Sequence, residues 1–408
     1  MNGATKLLEN SVEFGAKLAS ARKSRNLSQE DVARHLGVSR PIVVAIEKGA
    51  RPVKMQELVK LASLFGRTIH ELVGKHTIVD TFVPQFRVSQ SAAVTQESLT
   101  SAQLLFQRLC EDYINLEKML KSPMYSRYPE QYPLGNLGPQ AAAEEIANLE
   151  RARMNLGQGP LTNVLEVLET EMGLRVFVIP IDEFRIAGMF AFTSELGGCI
   201  LINGNHPITR QNWSAAHECG HFLTNRYSGE ITVLIDYERK PRSEQFADCF
   251  AGSFLMPAPG LRQRFRRIVQ SQNDFTVGDL CGLADQYGVS MEALCSRLER
   301  LGCIRKGSWS TISRGDGQRL RKHLGISTRE SRPIYLPDRY RRLAVQAFSQ
   351  EIITESELMR FLHCSRVEAR EVVNALTCAE GVNDAAGSAY QIELDFSESV
   401  EVSTTEKS

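Results

Sequence analysis

Apolar residues recur at three- and four-residue spacing through most of the chain, and the gaps between such runs carry Gly, Ser, Asn or Pro. Phe14, Leu18 and Ala21 share one helical face, and Asn26-Leu27-Ser28 interrupts the pattern. Ser28 is a natural N-cap for Gln29–Leu36, because its hydroxyl can accept an orphan amide of the first turn, and Asp31 completes an approximate capping box. Gly37 supplies the turn that ends this helix. Ser39 caps the next one, Arg40–Glu47, with Pro41 in the first turn, where a missing amide costs nothing, and Gly49 closes it. Met55–Phe65 and Ile69–Val73 are two further amphipathic segments. Two short helices joined by Gly37-Val38-Ser39 inside a compact five-helix unit describe a helix-turn-helix.

Further along, Leu104, Leu105, Leu109, Tyr113, Leu116 and Leu120 predict a helix over 98–121. The stretch 122–138 is rich in Pro, Tyr and Gly and reads as loop, and 141–156 is helical again. These two helices read as a connector; pairing of two chains through 98–121 is a second use for the first of them. A helix over 162–172 ends at Gly173. Apolar strands are expected at Arg175–Ile179, 187–192 and 199–202, a turn at Asn203-Gly204-Asn205, and a helix at 210–223. Arg242–Leu255 is a helix stopped by Pro257. Residues 275–302 repeat the helix-turn-helix spacing and are expected to pack on the preceding domain. A helical unit over 340–376 contains a third such pattern.

A chain of 408 residues is long enough for two to four domains. Its zero net charge hides local bias. Residues 13–75 carry twelve Lys and Arg against six Asp and Glu, residues 305–342 eleven against three, and the last eighteen residues five acids and one Lys. A basic module at one end suits a nucleic-acid partner better than a membrane. No secretory leader or apolar run long enough to span a bilayer is visible, which predicts a cytoplasmic protein. The nine cysteines contain no paired Cys-x-x-Cys and are expected to be reduced, small core residues.

The candidate chemistry lies in Ala216-His217-Glu218-Cys219-Gly220-His221. On a helix, His217 and His221 project from one face, and two neutral imidazoles in that geometry can share a metal ion that Glu218 can reach as general base. A helix with two exposed histidines would show the same letters, so a third ligand decides. Glu244 lies 23 residues after His221, enough chain for one excursion and a return, and Asp248 shares its helical face. His, His and Glu leave a fourth position open, as a catalytic zinc requires, and Asp248 can accept a hydrogen bond from the far nitrogen of a ligand imidazole. Tyr227 and Tyr237 are expected to be structural, and His206, beside Pro207 in a loop, to be solvated.

Two family resemblances bear on these residues. Leu27-Ser28-Gln29-Glu30-Asp31-Val32-Ala33, with Leu36-Gly37-Val38-Ser39 and Ile46-Glu47-Lys48-Gly49, closely resembles the Cro/phage-repressor (XRE) DNA-binding family. The resemblance implies a double-stranded DNA operator faced by Gln29, Ser39, Arg40, Pro41 and Val44, with Arg51 and Lys54 on the phosphate backbone. Pro41-Ile42-Val43-Val44 is unusually apolar for such a face, and a helical bundle used for protein contacts is the competing reading. Ala216-His217-Glu218, Gly220-His221, Glu244, Ala247, Phe250-Ala251 and Phe254-Leu255-Met256-Pro257, with Ile200-Leu201-Ile202-Asn203, resemble the ImmA/IrrE-type metallopeptidases. That resemblance implies one Zn2+ on His217, His221 and Glu244, Glu218 as the base, and cleavage of a repressor. Cys219 stands where Leu is usual and Asp248 where Asn is common. Cys219 is expected to pack; a thiol beside the metal could also be oxidised or compete as a ligand.

The expected fold is therefore mainly α and multidomain. It comprises a five-helix DNA-binding domain at 13–75, a helical linker at 76–149 and an α+β zincin-like metallopeptidase domain with a small sheet at 150–268. A helix-turn-helix-like extension at 269–303, a basic linker at 304–337, a C-terminal helical unit at 338–380 and a disordered acidic tail at 381–408 follow. The expected function is a DNA-binding regulator with zinc-dependent endopeptidase activity on a repressor or antitoxin, with a homodimer possible. The alternatives are a transcription factor whose peptidase-like domain senses a ligand or metal without cleaving, and a toxin-neutralising interaction protein.

Overall fold

A computed structural model of the chain describes residues 2–25, 27–65, 69–73, 96–124, 128–135, 137–193, 196–227, 232–233, 241–312, 334–377, 382–383 and 389–390. The N-terminal module is α1 (Asn2–Ser24), α2 (Gln29–Leu36), α3 (Arg40–Glu47), α4 (Met55–Phe65) and α5 (Ile69–Val73). Leu18, Val32, Val43, Ile46, Leu61, Phe65 and Leu72 form its core. Ser28 accepts from the Asp31 amide, and the Asp31 carboxylate accepts from the Ser28 amide, so both halves of the capping box are present. Gly37 (φ 72°) takes the left-handed conformation that ends α2. Ser39 holds the N-cap position of α3 in extended conformation, but its side chain makes no cap bond. Two glycines set the approach of α1 to α3. A Cβ on Gly15 would lie 2.6 Å from the carbonyl oxygens of Ile46 and Glu47, and one on Gly49 2.6 Å from that of Ser11.

A second core is built around a four-stranded sheet of order β1-β3-β2-β4, from β1 (Arg175–Ile179), β2 (Gly188–Thr193), β3 (Gly197–Asn203) and β4 (Thr232–Val233). β3 pairs in parallel with β1 and antiparallel with β2, so the chain builds β2 first and then inserts β3 between its two predecessors. Every residue of β1 is buried, and β3 is nearly so, which is why both read as unbroken apolar runs. Around the sheet stand α6 (Gln96–Met119), α7 (Pro139–Arg153), α8 (Val164–Thr170), α9 (Ile208–Asn225), α10 (Arg242–Leu255), α11 (Ala258–Gln272), α12 (Val277–Tyr287), α13 (Met291–Arg300) and α14 (Ser308–Ile312).

This core runs from α7 to α13. Ala142, Ala143, Ile146 and Ala147 of α7, read from sequence as connector, pack with Phe246, Phe250 and Phe254 of α10 in the same cluster as Leu280 of α12 and Leu294 and Leu298 of α13. Alanines at helical spacing carry little hydropathy, yet they let two helices approach closely. Two fully buried arginines hold the end of α10. Arg151 donates to the carbonyls of Phe254 (2.6 Å), Gly159 (2.6 Å) and Gly157 (2.9 Å), and Arg297 donates to Met256 O (3.1 Å) while pairing with Glu144 (2.8 Å). Both satisfy carbonyls that a helix end leaves without partners.

The second compact unit, residues 116–122 with 338–408, contains α15 (Asp338–Ser349), α16 (Glu355–Leu362) and α17 (Arg366–Thr377). Thr354 and Glu357 form a capping box at the start of α16, and Arg339 pairs with Glu117 at 2.7 Å. The basic linker expected at 304–337 is structured at both ends: residues 308–312 are helical, and Tyr335 exchanges two backbone hydrogen bonds with Val178 of β1 (2.8 and 2.9 Å). Its middle lies outside the described residues. So does the tail expected to be disordered, except that Val382–Asn383 pairs with Ala389–Tyr390 as a two-stranded ladder, β5 with β6. Cys110, Cys199, Cys219, Cys281 and Cys295 are buried as expected, but Cys249, Cys303 and Cys364 are only half-buried. Among the described residues no helix is long and apolar enough to cross a membrane.

Candidate metal centre

The site is the seam between α9 and α10. Gly220 permits that seam: a Cβ there would meet Ala247 Cα at 3.1 Å and the Phe250 ring at 3.3 Å. With the two backbones this close, Glu244, one turn before Ala247, reaches the face of α9 that carries His217 and His221. All three side chains are buried. His221 Nε2 lies 3.1 Å from His217 Nε2 and 3.1 Å from Glu244 Oε1, and His217 Nε2 lies 3.3 Å from Glu244 Oε2. Ligands at about 2.0–2.1 Å from zinc in a tetrahedron stand roughly 3.3–3.4 Å apart, so this donor set fits one such ion. Among the described residues this is the one cluster of three His, Cys, Asp or Glu side chains with that convergence.

Asp248 sits one turn beyond Glu244 on α10. It accepts a hydrogen bond from His217 Nδ1 at 3.0 Å, which directs Nε2 toward the other two donors. His221 Nδ1 has no comparable partner among the described residues. Glu218 is fully buried, and neither of its oxygens has a hydrogen-bond partner among the described residues. Gly188 of β2 leaves it room, since a Cβ there would stand 3.1 Å from Oε1. A buried carboxylate without a partner is expensive, so this one fits a site completed by an ion and its bound solvent.

Burial and the neighbouring charges perturb both histidines and both glutamates. Burial pushes the Glu218 carboxyl up to about 8; His217 pulls against that and Glu244 adds to it. Burial works to lower His217, but its bonds to Asp248 and Glu244 outweigh that and carry it to about 9. His221 is lowered by burial despite its bond to Glu244. Glu244 is held far below the usual carboxylate range, because the two imidazoles outweigh the opposing effect of burial.

Other residues singled out in the sequence fall elsewhere. The Cys219 thiol points away from the triad to Met172 Sδ at 3.6 Å, which places it in the core and out of reach of a ligand role. His206, expected to be solvated, is fully buried; its Nε2 bonds to Phe184 O at 2.7 Å and its ring packs edge-on against Phe184. Its loop folds back under the β1–β2 connection, so a turn position did not mean exposure. Tyr227 is exposed and packs edge-on against Phe192, whereas Tyr237 lies outside the described residues. In the N-terminal module Ser39, Arg40, Pro41 and Lys54 are exposed, and Val44 is half-buried. Gln29 is tied to Glu47 (2.9 Å), which also pairs with Arg22 (2.6 Å), and Arg51 is tied to Glu57 (2.8 Å). Sequence reasoning did not single out Gly188, or Gly220 as a spacer; a small residue at a helix or strand contact leaves no periodic signal.

Comparison with known proteins agrees with both halves. Residues 18–72 match the helix-turn-helix family, and residues 169–299 match the IrrE N-terminal-like domain of the M78 peptidases. The chain is similar to the transcriptional repressor RstR of the cryptic phage CTXphi of Vibrio cholerae, at 40% identity over 60 residues, 15% of this chain and 54% of that one. It thus spans about half the length of that relative. It is also similar to an uncharacterized HTH-type transcriptional regulator of Methanocaldococcus jannaschii, at 43% identity over 56 residues, 14% of this chain and 85% of that one. A solved structure, ComR from Streptococcus suis, aligns over 90% of this chain and 93% of its own at 12% identity, but its TM-score of 0.15 carries no weight. The chain belongs to the helix-turn-helix transcriptional regulators and carries, behind its DNA-binding module, a peptidase-like domain of the IrrE N-terminal-like family.

Proposed function

We propose that the protein is a cytoplasmic DNA-binding regulator whose second domain is a zinc-dependent endopeptidase acting on a repressor or antitoxin protein. One observation carries the reading: His217, His221 and Glu244 converge within 3.3 Å beside a buried Glu218 with no hydrogen-bond partner of its own among the described residues. His217, His221 and Glu244 would hold the metal, and Asp248 would fix the His217 tautomer. When bound, zinc supplies Lewis acidity toward a peptide carbonyl and makes water a better acid. Glu218, kept ionised when a cation held beside it offsets the effect of burial, would take the proton from the attacking water on a carboxylate oxygen and return it to the leaving amine. Burial keeps bulk water from competing for that proton. On the DNA side, Ser39, Arg40 and Lys54 would meet the operator, and the module would bring the peptidase to its target. Gln29 and Arg51 are bonded to Glu47 and Glu57 and would act by shaping the DNA-binding surface.

The test is co-expression of wild type and Glu218→Gln with the repressor proteins of the same genome. Fragments from wild type alone are expected. Equal fragments from both, or none from either, would remove the peptidase, and a purified protein with no bound zinc would remove the metal assignment.

A further inference from the structure

Behind the metal site, on the Nδ1 side of His217, a cavity of about 640 Å³ opens among α9, α10 and α13. Asp248 forms part of its wall, so it begins one hydrogen bond away from the metal triad. Its remaining chemistry serves no role in the proposed peptidase mechanism. Arg210 comes from α9 and Arg300 from α13, and neither has a carboxylate within ion-pair distance among the described residues. Arg210 rests over the Phe184 ring at 5.7 Å, and the nearest donor contacts of Arg300 are the Ser296 carbonyl and the Cys249 sulfur. Trp213 also lines the cavity. Gly252 of α10 leaves the space that its ring and Arg300 share: a Cβ there would lie 3.3 Å from both the Trp213 ring edge and an Arg300 nitrogen.

We propose that this cavity is a binding site for a small organic anion that joins a flat ring, directly or through a short linker, to a phosphate or carboxylate. The ring lies on Trp213, and the anionic group meets the guanidiniums of Arg210 and Arg300. Guanidinium forks match the geometry of both oxyanions, and an indole face is the natural platform for a flat apolar body. Two acidic residues share the cavity wall: the Asp248 carboxylate is engaged with His217, and Glu292, exposed like Arg300, forms no ion pair with either arginine among the described residues. A volume of this size falls in the range of small-ligand pockets, roughly 300–1,000 Å³.

The test is direct binding, independent of peptidase activity. Trp213 and Trp309 are the two tryptophans of the chain, so the full-length Trp309→Phe protein reports on Trp213 alone. Its emission is titrated at constant ionic strength with AMP, salicylate, adenosine and inorganic phosphate. Saturable quenching by AMP or salicylate is expected, with adenosine and phosphate at least about tenfold weaker, because each lacks half of the recognised chemistry. In the same background Arg300→Gln, and separately Arg210→Gln, should weaken the response by about tenfold or more while leaving the melting temperature unchanged. The proposal is overturned if neither anion gives a saturable change, if adenosine binds as tightly as AMP, or if both arginine variants respond like their parent.

Discussion

Asp248 offers the sharpest quantitative check on the proposed metal site. Its carboxylate accepts from His217 Nδ1 at 3.0 Å, and its side chain is 27% exposed. A hydrogen bond to a charged acceptor contributes about 1.5–3 kcal/mol, and partial exposure moves this one to the lower end. Since about 1.4 kcal/mol is a factor of ten, Asp248→Ala should lower metal affinity about 10–30-fold, inside the roughly 10–100-fold range for loss of a ligand's orienting partner. Asp248→Asn keeps an oxygen that can accept from the same N–H but loses the charge, which is about half the strength of the bond. It should lose about threefold. Zinc affinity is measured at neutral pH by competition with a chromogenic chelator, and the urea midpoint of each metal-free variant confirms that it is folded. If Asp248→Ala holds zinc within about twofold of wild type, or if Asn is as damaging as Ala, the orienting role of Asp248 is wrong.

Gly15→Ala drives a Cβ into the carbonyls of Ile46 and Glu47; it should destabilise the N-terminal module by about 1–3 kcal/mol and weaken DNA binding, seen as faster amide exchange confined to α1 and α3. Arg297→Met removes the partner of Glu144 and the donor to Met256 O, and should cost about 2–4 kcal/mol in urea unfolding; a loss under about 1 kcal/mol would mean the pair is idle. Burial pushes Glu144 upward, but its bonds to Arg297 and Ser253 and the field of the neighbouring arginines leave its pKa below the ordinary carboxylate value. Its contribution to stability is therefore fully present above about pH 4.5 and fades as pH falls through the lowered value, so the acid limb of a stability profile should flatten in Arg297→Met. Lys54→Gln should lower the salt slope of DNA binding by about one, whereas Arg51→Gln, which breaks the pair with Glu57, should change module stability more than that slope.

What could be read from residues alone follows a physical division. The candidate ligand pair is legible because a four-residue spacing on any helix puts His217 and His221 on one face, whatever surrounds them. The helix of Glu244 and Asp248 is legible for the same reason. What carries Glu244 to the histidines is the missing side chain of Gly220 against Ala247, and no periodic pattern encodes an absence. Hydropathy also fails wherever a polar group is buried because something satisfies it. His206, Arg151 and Arg297 lie inside because backbone carbonyls of distant segments accept their hydrogens, from Phe184, Phe254 and Met256. The alanine face of α7 fails in the opposite direction: its residues are too small to mark a core, yet they pack against the largest rings of α10. The residues expected to face DNA show the limit most directly. Gln29 and Arg51 have the right chemistry at the right helical positions, but carboxylates 18 and 6 residues away already hold them. Residue type and spacing determine what a side chain is able to bind; whether it is free to bind depends on partners that only the folded chain brings within 3 Å, and that is why the convergent His217, His221 and Glu244 could be read in advance as candidate ligands while the free cations of both candidate binding surfaces could not.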